Sequence, residues 1–308
     1  MPAALFASAF QNYDEWAPVL RREIPGLDLR PWPDAGNPED IDILLVWAPP
    51  LEALSYPNLK LVQCLGAGVD HLVSLPIPPH VGIARLIDRS QIEGFVHYVV
   101  GAVLTAHRDF HHYQRSQIKC LWEPRVRVQA KDRIVGVMGL GEMGAPCTLE
   151  LARQGFRVRG WSRSPKALEG VSVFSGVESL GDFLDGVDIL VCALPLTNDT
   201  RDILDAKLFS RLARGAYVIN VGRGGHCAEQ DLIAAVESGQ LSGALLDVAK
   251  GEPLSPDSVL WRVPGITINP HMATTQAPQL AALAAAENIR RVRSGLDPLG
   301  LIDRTRQY

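Results

Sequence analysis

Three segments of the chain each set one strong polar group at the end of an apolar run. They are Asn220-Val-Gly-Arg223-Gly-Gly, Leu246-Asp247-Val-Ala-Lys-Gly-Glu252-Pro-Leu and Asn269-Pro-His271-Met-Ala-Thr. A guanidinium, a carboxylate and an imidazole at strand-to-loop junctions can act together on a carbonyl carried by an acid. Arg223 has the planar fork that matches a carboxylate. His271 can donate a proton near neutral pH. Glu252 can keep that imidazole charged, because a nearby carboxylate favours the protonated form. Singly these residues mean little, since a lone Arg is usually a surface charge and a lone His usually structural. Their order and placement carry the reading.

A fourth segment supplies what such a site would need next. Arg133 to Gly144 reads RIVGVMGLGEMG. An apolar run (Ile134 to Met138) enters Gly139-x-Gly141-x-x-Gly144, and a helix-like stretch, Ala145 to Gln154, follows. A strand, a tight glycine turn and a helix N-terminus hold a dinucleotide pyrophosphate. Gly139 permits the turn, Gly141 lets backbone approach phosphate, and Gly144 lets the helix pack against the strand. The following strand, Phe156 to Trp161, ends in Ser162-Arg163-Ser164. NAD-binding sheets place a carboxylate there, on the ribose hydroxyls. Here a guanidinium between two hydroxyls suits a 2′-phosphate instead. The expected coenzyme is NADPH/NADP+, with NADH weaker, and the expected reaction is reduction of a 2-oxo acid.

Alternating strands and helices must position these groups. Apolar runs at Ala4–Ala9, Ile41–Trp47, Leu59–Leu65 and Gly82–Ile87 alternate with helical or Pro-rich segments, as in a parallel sheet. Ile92, Phe95, Val96, Val99, Val100, Val103 and Leu104 recur at spacings of three and four, which predicts one long helix over 92–113. Residues 120–132 read as loop. Strands then resume at Ile134–Met138, Phe156–Trp161, Val171–Phe174, Val187–Ala193, Ala216–Val221, Ala244–Val248 and Ile266–Asn269. Helices are expected over Glu229–Ser238, before Gly239, and over Gln276–Ser294, before Gly295. The glycine turn begins so far into the chain that a separate unit must precede it.

Composition bounds the class. With 308 residues the chain suggests two domains, since one core rarely exceeds roughly 250–300 residues. A net charge of −4 argues against a nucleic-acid partner. The apolar start MPAALFASAF lacks a basic residue and is short, so it reads as a strand, and no uncharged run is long enough for a bilayer. Cys64, Cys120, Cys147, Cys192 and Cys227 form no pairing pattern and read as reduced thiols of a cytoplasmic protein. His107 and His111 stand at i, i+4 on the expected helix, but no third ligand is evident and no metal site is expected.

The four segments, in their order along the chain from Gly139 to Thr274, and nearly the whole length around them, resemble the D-isomer-specific 2-hydroxyacid dehydrogenases. Within that family the chain is most similar to the short glyoxylate/hydroxypyruvate reductases of the A type, through Val46-Trp47-Ala-Pro-Pro50, Gly66-Ala-Gly-Val-Asp70, Trp122-Glu-Pro124, Trp161-Ser-Arg163-Ser and Asp303-Arg-x-Arg-x-Tyr308. The resemblance implies an α/β fold of two doubly wound parallel-sheet domains joined by long helices. A flavodoxin-like substrate domain would take residues 1–95 plus 280–308, and a Rossmann NADP-binding domain residues 96–279. It implies catalytic roles for Arg223, Glu252 and His271. Glu142, Met143, Leu194, Pro195, Val221, Gly222 and Asp247 would join the glycines and Ser162, Arg163 and Ser164 around the coenzyme, with Asp247 facing the nicotinamide amide. Gly66, Ala67 and Gly68 would hold the substrate carboxylate by backbone N–H groups, with Trp47 nearby and with Arg223 and His271 on the carbonyl. A homodimer built largely on the coenzyme domains is implied, in which a partner could receive Trp122. Departures are Gln91 and His97 where a methionine and a glutamate are usual, and Gly222 in place of Ala. They bear on substrate size. Two other readings are a non-enzymatic dinucleotide-sensing scaffold and an NAD-linked dehydrogenase with a bulkier substrate.

Overall fold

The computed structural model describes residues 2–8, 10–274 and 277–308.

 Ala9 and Gln276, the ends of two expected elements, therefore lie outside the described residues. The chain divides into two compact units, residues 1–91 with 276–308, and residues 92–275. These boundaries fall a few residues before those expected at 95/96 and 279/280.

The first unit opens with β1 (Ala3–Ala7), α1 (Tyr13–Glu23), β2 (Asp28–Pro31), β3 (Ile41–Val46), β4 (Leu61–Cys64), α2 (Asp70–Val73) and β5 (Gly82–Ala84). All pairings are parallel, in the order β2-β1-β3-β4-β5. That is the flavodoxin-like order, as expected. β1 and β3 are buried at every position, which fits central strands covered on both faces. α1 starts where the Asn12 side chain accepts the Asp14 N–H at 3.0 Å. β2 was not expected from the sequence. It is a four-residue edge strand ending in proline, which an edge tolerates because one side needs no donor.

In the second unit the expected single helix is two: α3 (Arg89–His107), which starts just before the boundary, and α4 (Phe110–Ile118). Asp109 between them adopts the left-handed conformation, φ +57°, and ends the run. His107 and His111 therefore sit on separate helices. β6 (Ile134–Met138), α5 (Gly144–Arg153), β7 (Arg157–Ser162), β8 (Ser172–Ser175), α6 (Leu180–Leu184), β9 (Ile189–Cys192), α7 (Ala206–Phe209), β10 (Ala216–Asn220), α8 (Glu229–Glu237), β11 (Leu241–Leu246) and β12 (Ile266–Ile268) follow. The seven strands are parallel in the order β12-β11-β10-β9-β6-β7-β8, the doubly wound Rossmann arrangement with one added strand. The strand order reverses beside β6, so the glycine turn that follows β6 lies at the switch point. Phe95, Val99 and Val103 of α3 pack with Val135, Val137, Leu151 and Ile219. Burying each such side chain stabilises by about 1.5–3 kcal/mol.

The chain then returns to the first unit through α9 (Pro278–Arg293). Proline at its start suits a helix N-terminus, and Gly295 follows at φ +77°. Its alanines, Ala281, Ala282, Ala285 and Ala286, let it pack close to α1 and the sheet, in one cluster with Trp16, Leu20, Phe6 and Leu45. Buried Asn288 donates to the Gln63 side chain at 2.6 Å and accepts the Leu299 N–H at 2.7 Å, which ties the C-terminal segment down.

Candidate active site

The glycine turn is built as its spacing demands. Gly139 has φ +99°, and a Cβ there would stand 2.6 Å from the Ala193 carbonyl oxygen. A Cβ on Gly144 would run into the carbonyl oxygen of Gly139. Gly141 differs, because a Cβ there would meet nothing within 4 Å. Open space stands above a bare backbone, beside a ten-residue helix, α5, that begins without any side-chain cap. Glycine here is not needed for packing, so the cradle fits an anion that approaches the main chain and the positive end of the helix.

The turn after β7 carries no carboxylate. Ser162 is buried, and its hydroxyl donates to the Ser164 carbonyl at 2.8 Å, so it shapes the turn. Arg163 and Ser164 are exposed. Lys166, which the sequence reading passed over, donates its ammonium to the Leu140 carbonyl beside the glycine turn. It brings a second cation near Arg163 in sequence and near the turn in space. The signal was a lysine two residues past the Ser-Arg-Ser run. Leu194 and Val221 are buried at the ends of β9 and β10.

Arg223 follows β10 in extended backbone. Asn220 braces its loop from both sides: Oδ1 accepts the Gly222 N–H at 3.2 Å and Nδ2 donates to the Arg223 carbonyl at 3.0 Å. The Arg223 N–H is donated to Nδ1 of buried His226 at 3.0 Å. Its Nη1 donates to the Gly222 carbonyl at 2.8 Å. Gly222 departs from the expected alanine, and a Cβ there would approach the His226 ring within 2.9 Å. Gly224 lies directly on the Ala249 backbone, where any Cβ would collide, so the Arg223 loop abuts the loop of Glu252.

Glu252 and His271 meet. His271 Nδ1 is 2.6 Å from Glu252 Oε2, and Glu252 Oε1 accepts the Ala249 N–H at 3.0 Å. Burial works against ionisation of Glu252. The hydrogen bonds from His271 and Ala249, with the charges of His271 and Arg223, outweigh it and hold the carboxyl below its usual range. Among the described residues no hydrogen bond is made at His271 Nε2, so that nitrogen can face a ligand. Asp247 is 1% exposed, and its carboxylate accepts the Met272 and Ala273 N–H groups and the Tyr98 hydroxyl. Three of about four acceptor sites are used, and one remains for a further donor.

In the first unit, Gly66, Ala67 and Gly68 form a partly exposed turn after β4. Trp47 packs its ring where a Gly66 side chain would stand. The imidazole of His71 lies 4.5 Å from that ring, centroid to centroid, and bonds the Trp47 carbonyl. Trp47 is thus half-buried against the turn, and His71, not singled out in the sequence, supports it. Trp122 is 97% exposed and belongs to no core. Gln91 is buried, and His97 is exposed. Among the described residues none of the five cysteines forms a disulfide. Among the described residues no group of three metal-ligating side chains converges, and no helix is long and apolar enough to cross a membrane.

Residues 100–273 match the family model for the D-isomer specific 2-hydroxyacid dehydrogenase NAD binding domain. The chain belongs to the D-isomer specific 2-hydroxyacid dehydrogenases. It is 39% identical to glyoxylate/hydroxypyruvate reductase A of Serratia proteamaculans, over 97% of each chain. A D-isomer specific 2-hydroxyacid dehydrogenase of Xanthobacter autotrophicus, solved in complex with NADPH and MES, is 43% identical with a TM-score of 0.95, covering 100% of this chain and 99% of that one. The NADPH-dependent glyoxylate/hydroxypyruvate reductase of Sinorhizobium meliloti, solved with NADP and sulfate, is 34% identical with a TM-score of 0.92, covering 100% of both.

Proposed function

We propose that this member of the family is an NADPH-dependent reductase of small 2-oxo acids, of the glyoxylate and hydroxypyruvate type, giving D-2-hydroxy acids. The observation that carries the reading is the 2.6 Å pair of His271 and Glu252, set beside the Arg223 loop on a sheet with an open glycine turn. Gly139, Gly141, Glu142, Met143 and Gly144 would hold the pyrophosphate, and Ser162, Arg163, Ser164 and Lys166 the 2′-phosphate. Leu194, Pro195, Val221 and Gly222 would flank the dinucleotide, and Asp247 would accept from its carboxamide. Bound there, the reduced nicotinamide supplies a hydride to the keto carbon.

The chain's own groups do the rest. Arg223 offers its fork to the substrate carboxylate and carbonyl oxygen. His271 gives the developing alkoxide a proton from Nε2, while Glu252 on Nδ1 fixes the ring and stabilises the imidazolium. In the first unit the amides of Gly66, Ala67 and Gly68 are read as carboxylate-holding groups, with Trp47 packed beside them. A scaffold would not need this acid–base pair. The exposed apolar run of Ile118, Leu121, Trp122 and Val126 supports a homodimer, and five cysteines outside any disulfide support a cytoplasmic setting.

The test is to mix protein, NADPH and glyoxylate or hydroxypyruvate and follow the nicotinamide absorbance, with NADH in parallel. Decay that is faster with NADPH supports the reading. No decay with any small 2-oxo acid overturns it.

A further inference from the structure

Helix α3 carries one polar side chain that the proposed chemistry leaves unused. Tyr98 places its hydroxyl between the ends of two strands. It donates to Asp247 Oδ1, just past β11, at 2.9 Å, and it accepts from Asn269 Nδ2, just past β12, at 2.6 Å. Burial and the neighbouring Asp247 charge push the phenol well above its usual range, so the hydroxyl stays a donor.

Asp247 in turn grips the loop of His271 at three successive amides. Its carbonyl accepts the His271 N–H at 2.8 Å. Its Oδ1 accepts Met272 N–H at 2.8 Å, and its Oδ2 accepts Ala273 N–H at 2.9 Å. His271 itself has φ +56°, in the left-handed region that non-glycine residues avoid. Such a backbone persists only where its surroundings over-determine it, and these bonds do so. The Tyr98 hydroxyl, held from its other side by Asn269, gives the same carboxylate a third donor and ties it to α3.

We propose that Tyr98 is a positioning residue for the proton donor: its hydroxyl locks the Asp247 carboxylate, which holds the His271 loop in the conformation that sets Nδ1 on Glu252. The inference rests on the function proposed above and deepens it by naming a residue outside the acid–base pair that acts through it.

Tyr98→Phe removes one oxygen and keeps the ring. The expected result is a fall in kcat for glyoxylate of roughly tenfold or more, the scale on which small misplacements of a reacting group slow chemistry. KM for glyoxylate should stay within about twofold, because the Arg223 loop is untouched, and the Kd for NADPH should rise by less than kcat falls, because Asp247 supplies only one of the coenzyme's contacts. Independently of turnover, the His271 imidazole resonances, assigned by their loss in His271→Gln, should shift or broaden. If kcat stays within about twofold, or if NADPH affinity falls as far as kcat does, the proposal is overturned. Unmoved His271 resonances also overturn it. Should Tyr98→Phe not fold, Asn269→Ala removes the second bond to the same hydroxyl and is judged by the same three readings. A wild type inactive on every 2-oxo acid, with resonances that do move in Tyr98→Phe, overturns the proposed function and leaves the positioning role standing.

Discussion

Glu252 Oε2 lies 2.6 Å from His271 Nδ1, although the two residues stand 19 positions apart on loops after different strands. The distance is that of a charge-assisted bond, and it fixes which ring nitrogen is left for chemistry. Glu252→Gln keeps the shape and removes the charge. The expected outcome is a fall in kcat of roughly tenfold to a hundredfold, within the range that general acid–base partners command. The stability effect has a sign. Because the carboxyl is held below its ordinary value of 4.5, the pair stabilises the fold fully above that pH and loses its effect as pH falls through the lowered value. Melting curves of wild type and variant should therefore be separated at neutral pH and converge below 4.5. Parallel curves down to strong acid would show that the pair adds nothing to the fold.

Arg223 is presented by a loop braced through Asn220 and His226, so its charge can be removed without disturbing the strand. Arg223→Ala should lower kcat/KM about 10²–10³-fold, as when a donor to a developing oxyanion is lost. Arg223→Lys should recover little, because an ammonium cannot reproduce the planar fork. Near-normal turnover in either variant, on any 2-oxo acid, would remove Arg223 from the site.

How much of this was readable beforehand depends on how local each signal is. The glycine turn was legible because three residues within six positions dictate φ, packing and open space together. The strand-end positions of Arg223, Glu252 and His271 were legible for the same reason, each next to a clear apolar run. The break at Asp109 was not, because no glycine or proline marks it and only tertiary context forces that residue to a positive φ. β2 was hidden because a short edge strand needs no apolar alternation. The contact of Tyr98 with Asp247 spans 149 positions and leaves no periodic trace. The same holds for the Trp47 ring filling the space at Gly66, which only the folded chain reveals.

Two glycines of one turn should respond oppositely to substitution. Gly144→Ala drives a Cβ into the Gly139 carbonyl, which is backbone and cannot swing away. The fold should lose roughly 1–3 kcal/mol, the usual cost of overpacking, seen as a lower Tm without ligand. Gly141→Val places its side chain in open space, so the Tm without ligand should hold while NADPH affinity collapses. If Gly141→Val binds NADPH normally by fluorescence titration, the turn does not hold the pyrophosphate.

Coenzyme choice should follow Arg163. The residue is exposed after β7, with no carboxylate in the turn. Bonds between charged groups contribute about 1.5–3 kcal/mol, so Arg163→Ala should raise KM for NADPH roughly tenfold or more and leave KM for NADH nearly unchanged. The NADPH effect should shrink at high salt, since both charges face solvent. Equal losses with both coenzymes would place Arg163 outside the 2′-phosphate site.

Acid sensitivity of the fold should trace in part to His111. The side chain is buried in α4, its ring 4.7 Å from that of Tyr217. Burial, and then the charge of Arg115, push its pKa from 6.5 down to about 4. The folded protein therefore keeps this imidazole neutral at a pH where the unfolded chain has already taken up a proton. Between 6.5 and about 4 the unfolded state binds more protons, so stability falls as pH is lowered through that window. One such group contributes at most about 1.4 kcal/mol per pH unit. His111→Leu removes the titration and keeps an apolar filler, so urea unfolding should depend less steeply on pH between neutral and 5 than in the wild type. Because His107 is also shifted down by burial, some slope should persist in the variant. An unaltered slope in His111→Leu would mean that the ring finds water or a proton partner in the folded protein, and that burial alone does not govern it.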